Sequence, residues 1–513
     1  MTTSISENNK RIAKNTLVLY VRMFVMMFIG FFTARITLNA LGVDDYGINN
    51  VVGGLVSMFS LLSSSLTSAS SRFITFALGK GNKEEQKRTF ATTMNIHVVL
   101  AVIVVLAIET VGVWFLNHKL NIPIDRMVAA HWVLQCSVVS FVLGLLSVPY
   151  NSSIIAHERM SAFAYLTIFD AVCKLMVVAS IYYYGGDKLI LFSIISLIPQ
   201  IIRQGIYVWY CKRNFEECVY DLKWDKKLFR EMFAFSGWNF IGCTAGLMRD
   251  QGVNIVINIF TSSAVNAARG IAMQLNGLIG QFTGNFMVSL NPQITKYYAV
   301  GDLTRMHKLL FYGTRLSYYL FMSLSIPVIF EVETVLTVWL GEVPAHTVLF
   351  TRLVLVLSLI DIFSQTLITA QNATGNIRNY QLVVGGLYLL NLPFSYLLLK
   401  IGFIPEMTLV VAIVIAIACM IARLCFLRNS IKLPVFDYVT KVVFNGLLVT
   451  VLSLILPAIC YFNITITIWR FFAVCITSVL SSSVAIYFVG CNKMERSMVN
   501  SYITKFYDKI TRR

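Results

Sequence analysis

Residues 406 to 427 read EMTLVVAIVIAIACMIARLCFL, and this segment shows the pattern that decides the fold. From Met407 to Ala422 it contains no charged side chain. A helix needs about 20 predominantly apolar residues to cross the hydrocarbon core of a bilayer. The segment is therefore predicted to be a membrane-spanning helix.

Thirteen other segments share this apolar character, which gives fourteen predicted spans and an all-α polytopic membrane protein. The chain as a whole is 57% hydrophobic and only 13% charged, a composition far from that of soluble globular proteins. An even number of spans places both termini on one side of the membrane. The approximate extents of the spans are 16–40, 47–71, 92–116, 128–152, 162–184, 189–211, 235–260, 264–290, 310–338, 347–371, 380–400, 406–427, 441–461 and 467–490.

The distribution of Lys and Arg sets the orientation. With the N-terminus in the cytoplasm, the inner segments hold 28 of the 42 basic residues and the outer loops hold four. Short cytoplasmic loops carry an excess of Lys and Arg, so both termini are predicted to be cytoplasmic. The same distribution explains most of the formal net charge of +17, which therefore does not indicate a nucleic-acid partner.

Two stretches of the chain resemble each other at an offset of 220 residues. Residues 71–82 read SRFITFALGKGN and residues 291–302 read NPQITKYYAVGD, which aligns the Ile-Thr pair and the glycine near the end of each stretch. A second match, between the segments ending at Arg159 and Arg378, has the same place after spans four and ten. Together they predict a duplication of six helices, and because six is even the two repeats are parallel.

The duplication predicts that the chain is divided into four parts. The N-terminal lobe covers residues 1–220 with spans one to six, and the C-terminal lobe covers residues 235–428 with spans seven to twelve. Residues 221–234 alternate apolar and basic side chains, as an amphipathic helix on the cytoplasmic leaflet does. Residues 429–513 add a helix pair and a basic cytoplasmic tail.

Charged residues inside the spans are the main functional signal, because each is costly in hydrocarbon unless it faces water or a partner. Basic residues outnumber acidic ones, which favours an anionic cargo such as a pyrophosphate. The deep acidic residues are Glu109, Asp170, Asp250 and Asp361. The basic residues are Arg22, Arg35, Lys174, Arg203, Arg249, Arg269, Arg315, Arg352, Arg423 and Arg470.

These residues divide by position. Arg203, Arg315, Arg423 and Arg470 lie near span ends, where snorkelling to the interface accounts for a basic side chain. Lys174 follows Asp170 by four residues, so the two are predicted to form an ion pair on one helix face. The predicted substrate-binding arginines are those of spans one, seven and eight, namely Arg22, Arg35, Arg249 and Arg269.

Polar side chains on spans seven and eight extend this candidate site. Gln274, Gln281 and Asn285 share one face of span eight and are predicted to contact sugar hydroxyls or water. Asp250 and Asp361 are the candidates for coupling to a proton or sodium ion. The alternative is that each carboxylate only neutralises a nearby arginine.

The chain resembles the Wzx-type polysaccharide flippases of the multidrug/oligosaccharidyl-lipid/polysaccharide exporter superfamily. The resemblance rests on the sequence LGVDDYG at 41–47, on Asn-Pro-Gln at 291–293 and on the count of fourteen spans. It implies two six-helix lobes that open alternately to either side of the bacterial inner membrane. It also implies a cargo of undecaprenyl-pyrophosphate-linked oligosaccharide, moved from the cytoplasmic to the periplasmic leaflet, with membrane lipids and polysaccharide assembly proteins as partners.

Other classes of function fit less well. The sequence has no Gly-x-x-x-x-Gly-Lys-Ser/Thr loop and no metal-ligand spacing of His and Cys, so no catalytic residue, metal or cofactor is predicted. Two alternatives remain open. A drug or organic-cation antiporter of the same superfamily is expected to have a cavity rich in carboxylates, and a non-transporting scaffold gives no reason for deep arginines.

Overall fold

Helices make up almost all of the first half of the chain. The computed structural model describes residues 2–120, 122–182, 184–221, 225–465, 468–492, 495–497 and 500. The α-helices of the first half are α1 (Thr2–Ser57), α2 (Ser60–Lys80), α3 (Lys83–Ala107), α4 (Val113–His118), α5 (Met127–Ala156), α6 (Met160–Tyr182), α7 (Lys188–Ile195), α8 (Leu197–Asn214), α9 (Lys226–Leu247) and α10 (Val253–Phe260).

The second half continues in the same way, and no strand occurs in the ranges given above. Its α-helices are α11 (Ser263–Ala299), α12 (Leu303–Phe330), α13 (Val332–Leu340), α14 (Thr347–Thr374), α15 (Arg378–Leu389), α16 (Asn391–Ile401), α17 (Met407–Ser430), α18 (Val435–Tyr438), α19 (Asn445–Asn463) and α20 (Ile468–Ala485). Short π-helical turns lie at Ile108–Gly112, Met248–Gly252, Val439–Phe444 and Ile486–Gly490, and a 3₁₀ turn lies at Ile124–Arg126.

Helices long and apolar enough to cross a bilayer confirm the polytopic class. Within the described residues there are nine such helices, or up to eleven if each of two bent helix pairs is one span. The predicted spans one, seven and eight also lie in helices, in α1, α9–α10 and α11, but these are not among the nine or eleven. The total of fourteen stays a prediction for this reason.

The exposed surfaces of the apolar helices carry large hydrophobic side chains. In α17, Val414 is 62% and Ile421 is 54% exposed, whereas Ala416 and Cys419 on the other face are buried. An exposed apolar face on a long helix is expensive in water and favourable in lipid. The protein is an integral membrane protein.

The chain divides into two compact units. The first comprises Met1–Thr244, Val288–Asp302 and Gly375–Gln381, and the second comprises Ala245–Met287, Leu303–Thr374 and Leu382–Arg513. The limits predicted from the repeat, 1–220, 221–234, 235–428 and 429–513, stay predictions. Within the predicted linker, residues 222–224 lie outside the described residues, and the helix α9 begins at Lys226.

The LGVDDYG segment introduces a break and an anchor in the first unit. Gly42 has φ 79°, a left-handed value that glycine adopts without strain, and it kinks α1. Asp45 then accepts a hydrogen bond of 2.9 Å from Nε of Arg126, and Nη1 of Arg126 donates to Asp187 at 2.7 Å. Asp187 also caps the N-terminus of α7. One guanidinium group thus ties α1 and the start of α7 to the 3₁₀ turn at Ile124–Arg126.

The second unit packs around α10, α11, α14 and α17. Ala268, Ala272 and Ala416 are almost completely buried there, beside larger side chains such as Val354. Small residues let helix backbones approach closely, and in a membrane such packing replaces the hydrophobic driving force that operates in water. The core of this unit therefore holds the π-helical turn between α9 and α10 in a fixed place.

A sharp bend separates α12 from α13. The two helices are bent by 80° at Glu331, whose side chain is 1% exposed. Both Glu331 oxygens accept hydrogen bonds from Arg470 of α20, at 2.7 and 3.1 Å. The Arg470 guanidinium also lies 4.6 Å from the centre of the Tyr461 ring. A buried two-point ion pair therefore fixes the bend.

Candidate functional site

A group of charged and polar side chains in the second unit surrounds the π-helical turn Met248–Gly252. We call this group the Arg249 cluster. A π-helical turn is wider than an α-helical one and is frequent at functional sites. Its members come from six helices and the turn itself, and they are Arg249, Asp250, Asn254, Arg269, Asp361, Tyr388, Asn391 and Arg423.

Arg249 stands at the centre of the cluster with two carboxylate partners. Its Nε donates to Asp250 at 3.0 Å, and its Nη1 donates to Asp361 of α14 at 3.3 Å. The Arg249 side chain is 13% exposed, against 38% for Asp250 and 28% for Asp361. Asp250 is therefore the more open of the two carboxylates, and it pairs with the guanidinium next to it in sequence.

Arg269 of α11 is more deeply buried and has no carboxylate partner among the described residues. It is 3% exposed, and its Nη1 donates to the backbone oxygen of Asp250 at 2.9 Å and to the amide oxygen of Asn254. Its Nε is buried without a hydrogen-bond partner among the described residues. Arg269 therefore keeps a full positive charge and an unused donor inside the unit.

Helices α15 to α17 close the other side of the cluster. Tyr388 lies under Arg249, with 4.7 Å from the guanidinium carbon to the ring centre, and its hydroxyl accepts a hydrogen bond of 2.6 Å from Arg423. Asn391 donates to the backbone oxygen of Arg249 at 3.2 Å. A ring face below a guanidinium favours the cation, so these contacts hold Arg249 in place without removing its charge.

The cluster has one positive charge in excess. Arg249, Arg269 and Arg423 contribute three guanidinium groups, and Asp250 and Asp361 contribute two carboxylates. Guanidinium groups bind phosphate oxygens through paired, charge-assisted hydrogen bonds. Carboxylates beside them offer places where a cation or a proton binds. The cluster therefore has the chemical groups for an anion and for an ion that exchanges with it.

The arginines predicted in span one lie in the first unit. Arg22 of α1 is partly buried, with its guanidinium carbon 4.6 Å from the centre of the Phe163 ring. The backbone of Arg35 lies in α1, and its side chain lies outside the described residues. Of the four predicted arginines, the structure brings Arg249 and Arg269 together.

The polar face predicted on span eight is divided along α11. Gln274 and Gln281 are exposed, whereas Asn285 is buried and donates to the backbone oxygen of Gln281 at 2.9 Å. Gln274 and Gln281 therefore keep side chains available to a ligand. The Asn285 amide nitrogen is used within its own helix.

Two interpretations of basic residues as snorkelling side chains are wrong. Arg423 is 2% and Arg470 is 9% exposed, and each donates a hydrogen bond to a side chain from elsewhere in the chain, Tyr388 or Glu331. Position near a span end did not reveal these partners, because they come from helices distant in sequence. The predicted pair of Asp170 and Lys174 is confirmed at 2.9 Å.

The part of the chain that the structure describes contains no candidate metal centre. No group of three or more His, Cys, Asp or Glu side chains there is arranged to hold a metal ion. The Arg249 cluster consists of arginines, carboxylates, amides and a phenol, which can bind charged and polar ligands.

Solved structures of membrane transporters have the same fold. An outward-facing multidrug resistance MATE family transporter of the MOP superfamily matches with a TM-score of 0.71 at 10% identity, over 83% of this chain and 96% of that chain. A MOP superfamily transporter from Pyrococcus furiosus Vc1, described as having a binding pocket of reverse polarity, matches with a TM-score of 0.70 at 9% identity, over 84% and 96%. These likenesses show that the chain has the fold of these transporters.

Sequence comparison adds the family. The family described as Polysaccharide biosynthesis protein matches residues 12–333, and the chain belongs to it. EpsK of Bacillus subtilis strain 168, described as an uncharacterized membrane protein, is 18% identical over 280 residues. That match covers 54% of this chain, and the chain spans about half the length of EpsK, 55%. The recognition of the superfamily from its motifs is confirmed, and the chain is an integral membrane protein of the polysaccharide biosynthesis family.

Proposed function

We propose that the protein is a flippase that moves undecaprenyl-pyrophosphate-linked oligosaccharide from the cytoplasmic to the periplasmic leaflet of a bacterial inner membrane, by alternating access. The observation that carries the proposal is the excess of buried guanidinium groups in the Arg249 cluster. A buried cation without a carboxylate costs several kcal/mol, about 3–5 when a pair is broken, so an anion is the natural ligand of Arg269. A pyrophosphate supplies such an anion at the end of the lipid carrier.

The binding step follows from the contacts of Arg249. Its Nε and Nη1 donate to Asp250 and Asp361, and because a guanidinium has five N–H donors a pyrophosphate can bind it beside these carboxylates or in place of one of them. Arg269 lies beside Asp250 with an unused Nε, and it offers the second positive charge. Gln274 and Gln281 on the exposed face of the same helix supply amides to sugar hydroxyls. Arg22 and Arg35 extend the cationic set in the first unit.

A test of the proposal follows the loaded carrier. In the bacterium that carries this gene, deletion is expected to leave the lipid-linked oligosaccharide on the cytoplasmic leaflet, because the charged headgroup does not cross hydrocarbon unaided. The measurement compares surface glycan with the carrier pool that an externally added glycosidase reaches in spheroplasts. Normal glycan and an accessible carrier pool in the deletion strain overturn the proposal.

One observation favours a second candidate, an antiporter of organic cations. Asp250 is 38% exposed, and an open carboxylate in a MATE-like fold is a group to which a cationic drug binds. Expression of this protein in a strain without drug exporters distinguishes the two functions. A flippase leaves the sensitivity to cationic dyes unchanged, whereas an antiporter lowers it.

Ion coupling is assigned to Asp250 and Asp361, and Asp250 is expected to dominate because it is more exposed. Binding of a proton or Na⁺ to this carboxylate weakens its hold on Arg249 and so changes the affinity for the anion. We expect Asp250→Asn to lower gradient-driven transport in proteoliposomes about tenfold, a usual size for coupling between sites.

The control for this prediction is Glu342→Gln, which removes an exposed carboxylate of the same unit. It is expected to leave transport unchanged. The assay compares transport with and without an imposed pH or Na⁺ gradient. A gradient that stimulates Asp250→Asn and the unmodified protein equally contradicts the assignment of Asp250.

A further inference from the structure

A second group of basic side chains lies within the first unit, on α1, α6 and α8. Arg22 of α1 has its Nε and Nη1 buried, and neither has a hydrogen-bond partner among the described residues. The Arg22 guanidinium lies over the face of the Phe163 ring, with 4.6 Å from the guanidinium carbon to the ring centre. A ring face stabilises the cation but accepts no conventional hydrogen bond, so these two donors remain unused.

A compact ion cluster stands beside it. Oδ2 of Asp170 lies 2.9 Å from Nζ of Lys174 and 3.1 Å from Nη1 of Arg203. The Asp170 side chain is 10% exposed and that of Arg203 is 20% exposed. One oxygen of Asp170 thus serves two cations. Nε of Arg203 is buried without a hydrogen-bond partner in the described part of the chain.

Tyr207 connects the two groups. Its side chain is 4% exposed, and its hydroxyl lies within electrostatic range of both Arg22 and Arg203. It follows Arg203 by four residues on α8, so both side chains project from the same face of that helix. The hydroxyl can donate a hydrogen bond to an anion that lies between the two guanidinium groups.

The charges of this group do not balance. Arg22, Lys174 and Arg203 contribute three positive charges and Asp170 contributes one negative charge. In the described part of the chain, Arg22 has no carboxylate partner. Uncompensated charge in a membrane interior is expensive, so two excess positive charges indicate a place for an anion.

The depth of the group fits a ligand that arrives from the cytoplasmic leaflet. Residue 22 is about 9 Å from the predicted cytoplasmic end of its span, at 1.5 Å per helical residue. Asp170 and Arg203 are each about 12 Å from the predicted cytoplasmic ends of theirs. Arg22, Asp170 and Arg203 therefore belong to the half of the bilayer predicted to be cytoplasmic, and Lys174 is joined to them through its ion pair with Asp170.

We propose that Arg22, Lys174, Arg203 and Tyr207 form a phosphate-binding site that receives the diphosphate headgroup of the lipid carrier on its way into the transporter. The identity of the carrier rests on the proposed function. Arg22 and Arg203 donate charge-assisted hydrogen bonds through the nitrogens that are now unused, and Lys174, half exposed, closes the outer side. When no ligand is bound, Asp170 holds Lys174 and Arg203 in place through its two ion pairs.

Binding of a short polyprenyl diphosphate tests the site without any transport step. Farnesyl diphosphate is titrated into the purified full-length protein in detergent, and the dissociation constant is measured by calorimetry. We expect Arg22→Gln and Arg203→Gln each to weaken binding about tenfold, because each removes a charged donor to phosphate. Arg22→Lys keeps the charge and is expected to retain most of the affinity.

Arg213→Gln is the matched control, because Arg213 lies on α8, the helix of Arg203, and is exposed. Its guanidinium lies over the ring of Trp209. It is expected to change the dissociation constant by less than about twofold. Thermal unfolding of each variant shows whether it is folded. A folded Arg22→Gln and a folded Arg203→Gln that both bind as tightly as the unmodified protein overturn the site.

Further arms of the experiment separate the inference from the proposed function. If Arg249→Gln abolishes binding and Arg22→Gln does not, the site in the first unit is refuted and the flippase proposal stands. If the unmodified protein binds no farnesyl diphosphate, both proposals fail. If phosphatidylglycerol displaces farnesyl diphosphate at equal concentration, the site holds an ordinary phospholipid headgroup and its role in loading the carrier is refuted.

Discussion

Replacing Arg249 by Ala is expected to stop export of the lipid-linked glycan. The guanidinium is 13% exposed and bonds two carboxylates, so the substitution removes the central cation of the cluster. Loss of one partner from a buried, charge-assisted contact reduces binding by about 100-fold, equivalent to about 2.7 kcal/mol. The measurement is the rate of carrier translocation in proteoliposomes, together with surface glycan in a strain that depends on the variant.

The substitution also threatens stability, because it leaves Asp361 partly buried without its guanidinium, and broken buried pairs cost about 3–5 kcal/mol. The double variant Arg249→Gln with Asp361→Asn removes both charges and is expected to recover the lost stability. It is not expected to recover transport. If the double variant transports at the full rate, Arg249 only neutralises Asp361 and does not bind the cargo.

Arg352 supplies the matched control for this prediction. It lies on α14, the same helix as Asp361, and its Nε donates to the backbone oxygen of Ile329 at 3.1 Å. Arg352→Gln removes a guanidinium without touching the cluster. Its transport rate is expected to stay within about twofold of the unmodified protein.

Replacing Glu331 by Gln is expected to give the largest loss of stability. The carboxylate is 1% exposed and bonds Arg470 at 2.7 and 3.1 Å at the bend between α12 and α13. The amide leaves the buried guanidinium without a negative partner, which costs about 3–5 kcal/mol. We expect the apparent unfolding temperature of the purified protein in detergent to fall by about 3–5 °C.

Asp437→Asn is the control, because Asp437 pairs with Lys441 at 3.1 Å while both side chains are well exposed, 44% and 63%. Exposed pairs contribute about 0–1 kcal/mol, so little change is expected. All variants are compared at one heating rate, since unfolding of such a protein is irreversible. Equal unfolding temperatures for Glu331→Gln and Asp437→Asn contradict the role assigned to the buried pair.

The sequence predicts the elements of this fold well, because membrane-spanning helices follow from apolar length alone. It also predicts contacts within one helix, such as Asp170 with Lys174, since a spacing of four residues fixes their geometry. The LGVDDYG segment was recognised as a motif, but its function was not. Its glycine kinks α1, and its second aspartate binds Arg126, a partner that no local pattern names.

The candidate site was predicted in part. Arg249, Asp250 and Asp361 were selected as deep charges, and the structure places them in contact. Tyr388 and Arg423 were missed as members of the cluster, because helical periodicity tells which face is polar but not which helix packs against it. The π-helical turn at Met248–Gly252 does not follow from the sequence either, because apolar length does not distinguish a π-helical turn from an α-helical one.

That turn has a consequence for how the polar groups of the Arg249 cluster are oriented. A π-helical turn accommodates one residue more than an α-helical turn. Deletion of a single residue within Met248–Gly252 therefore lets the α-helical hydrogen-bond pattern run without a break. Every side chain beyond it then rotates by about 100° relative to those before it. Asn254 leaves the neighbourhood of Arg269, while the apolar length of the helix hardly changes. Evolution can thus re-aim the donors of this transporter through a change in length, without rebuilding the membrane bundle.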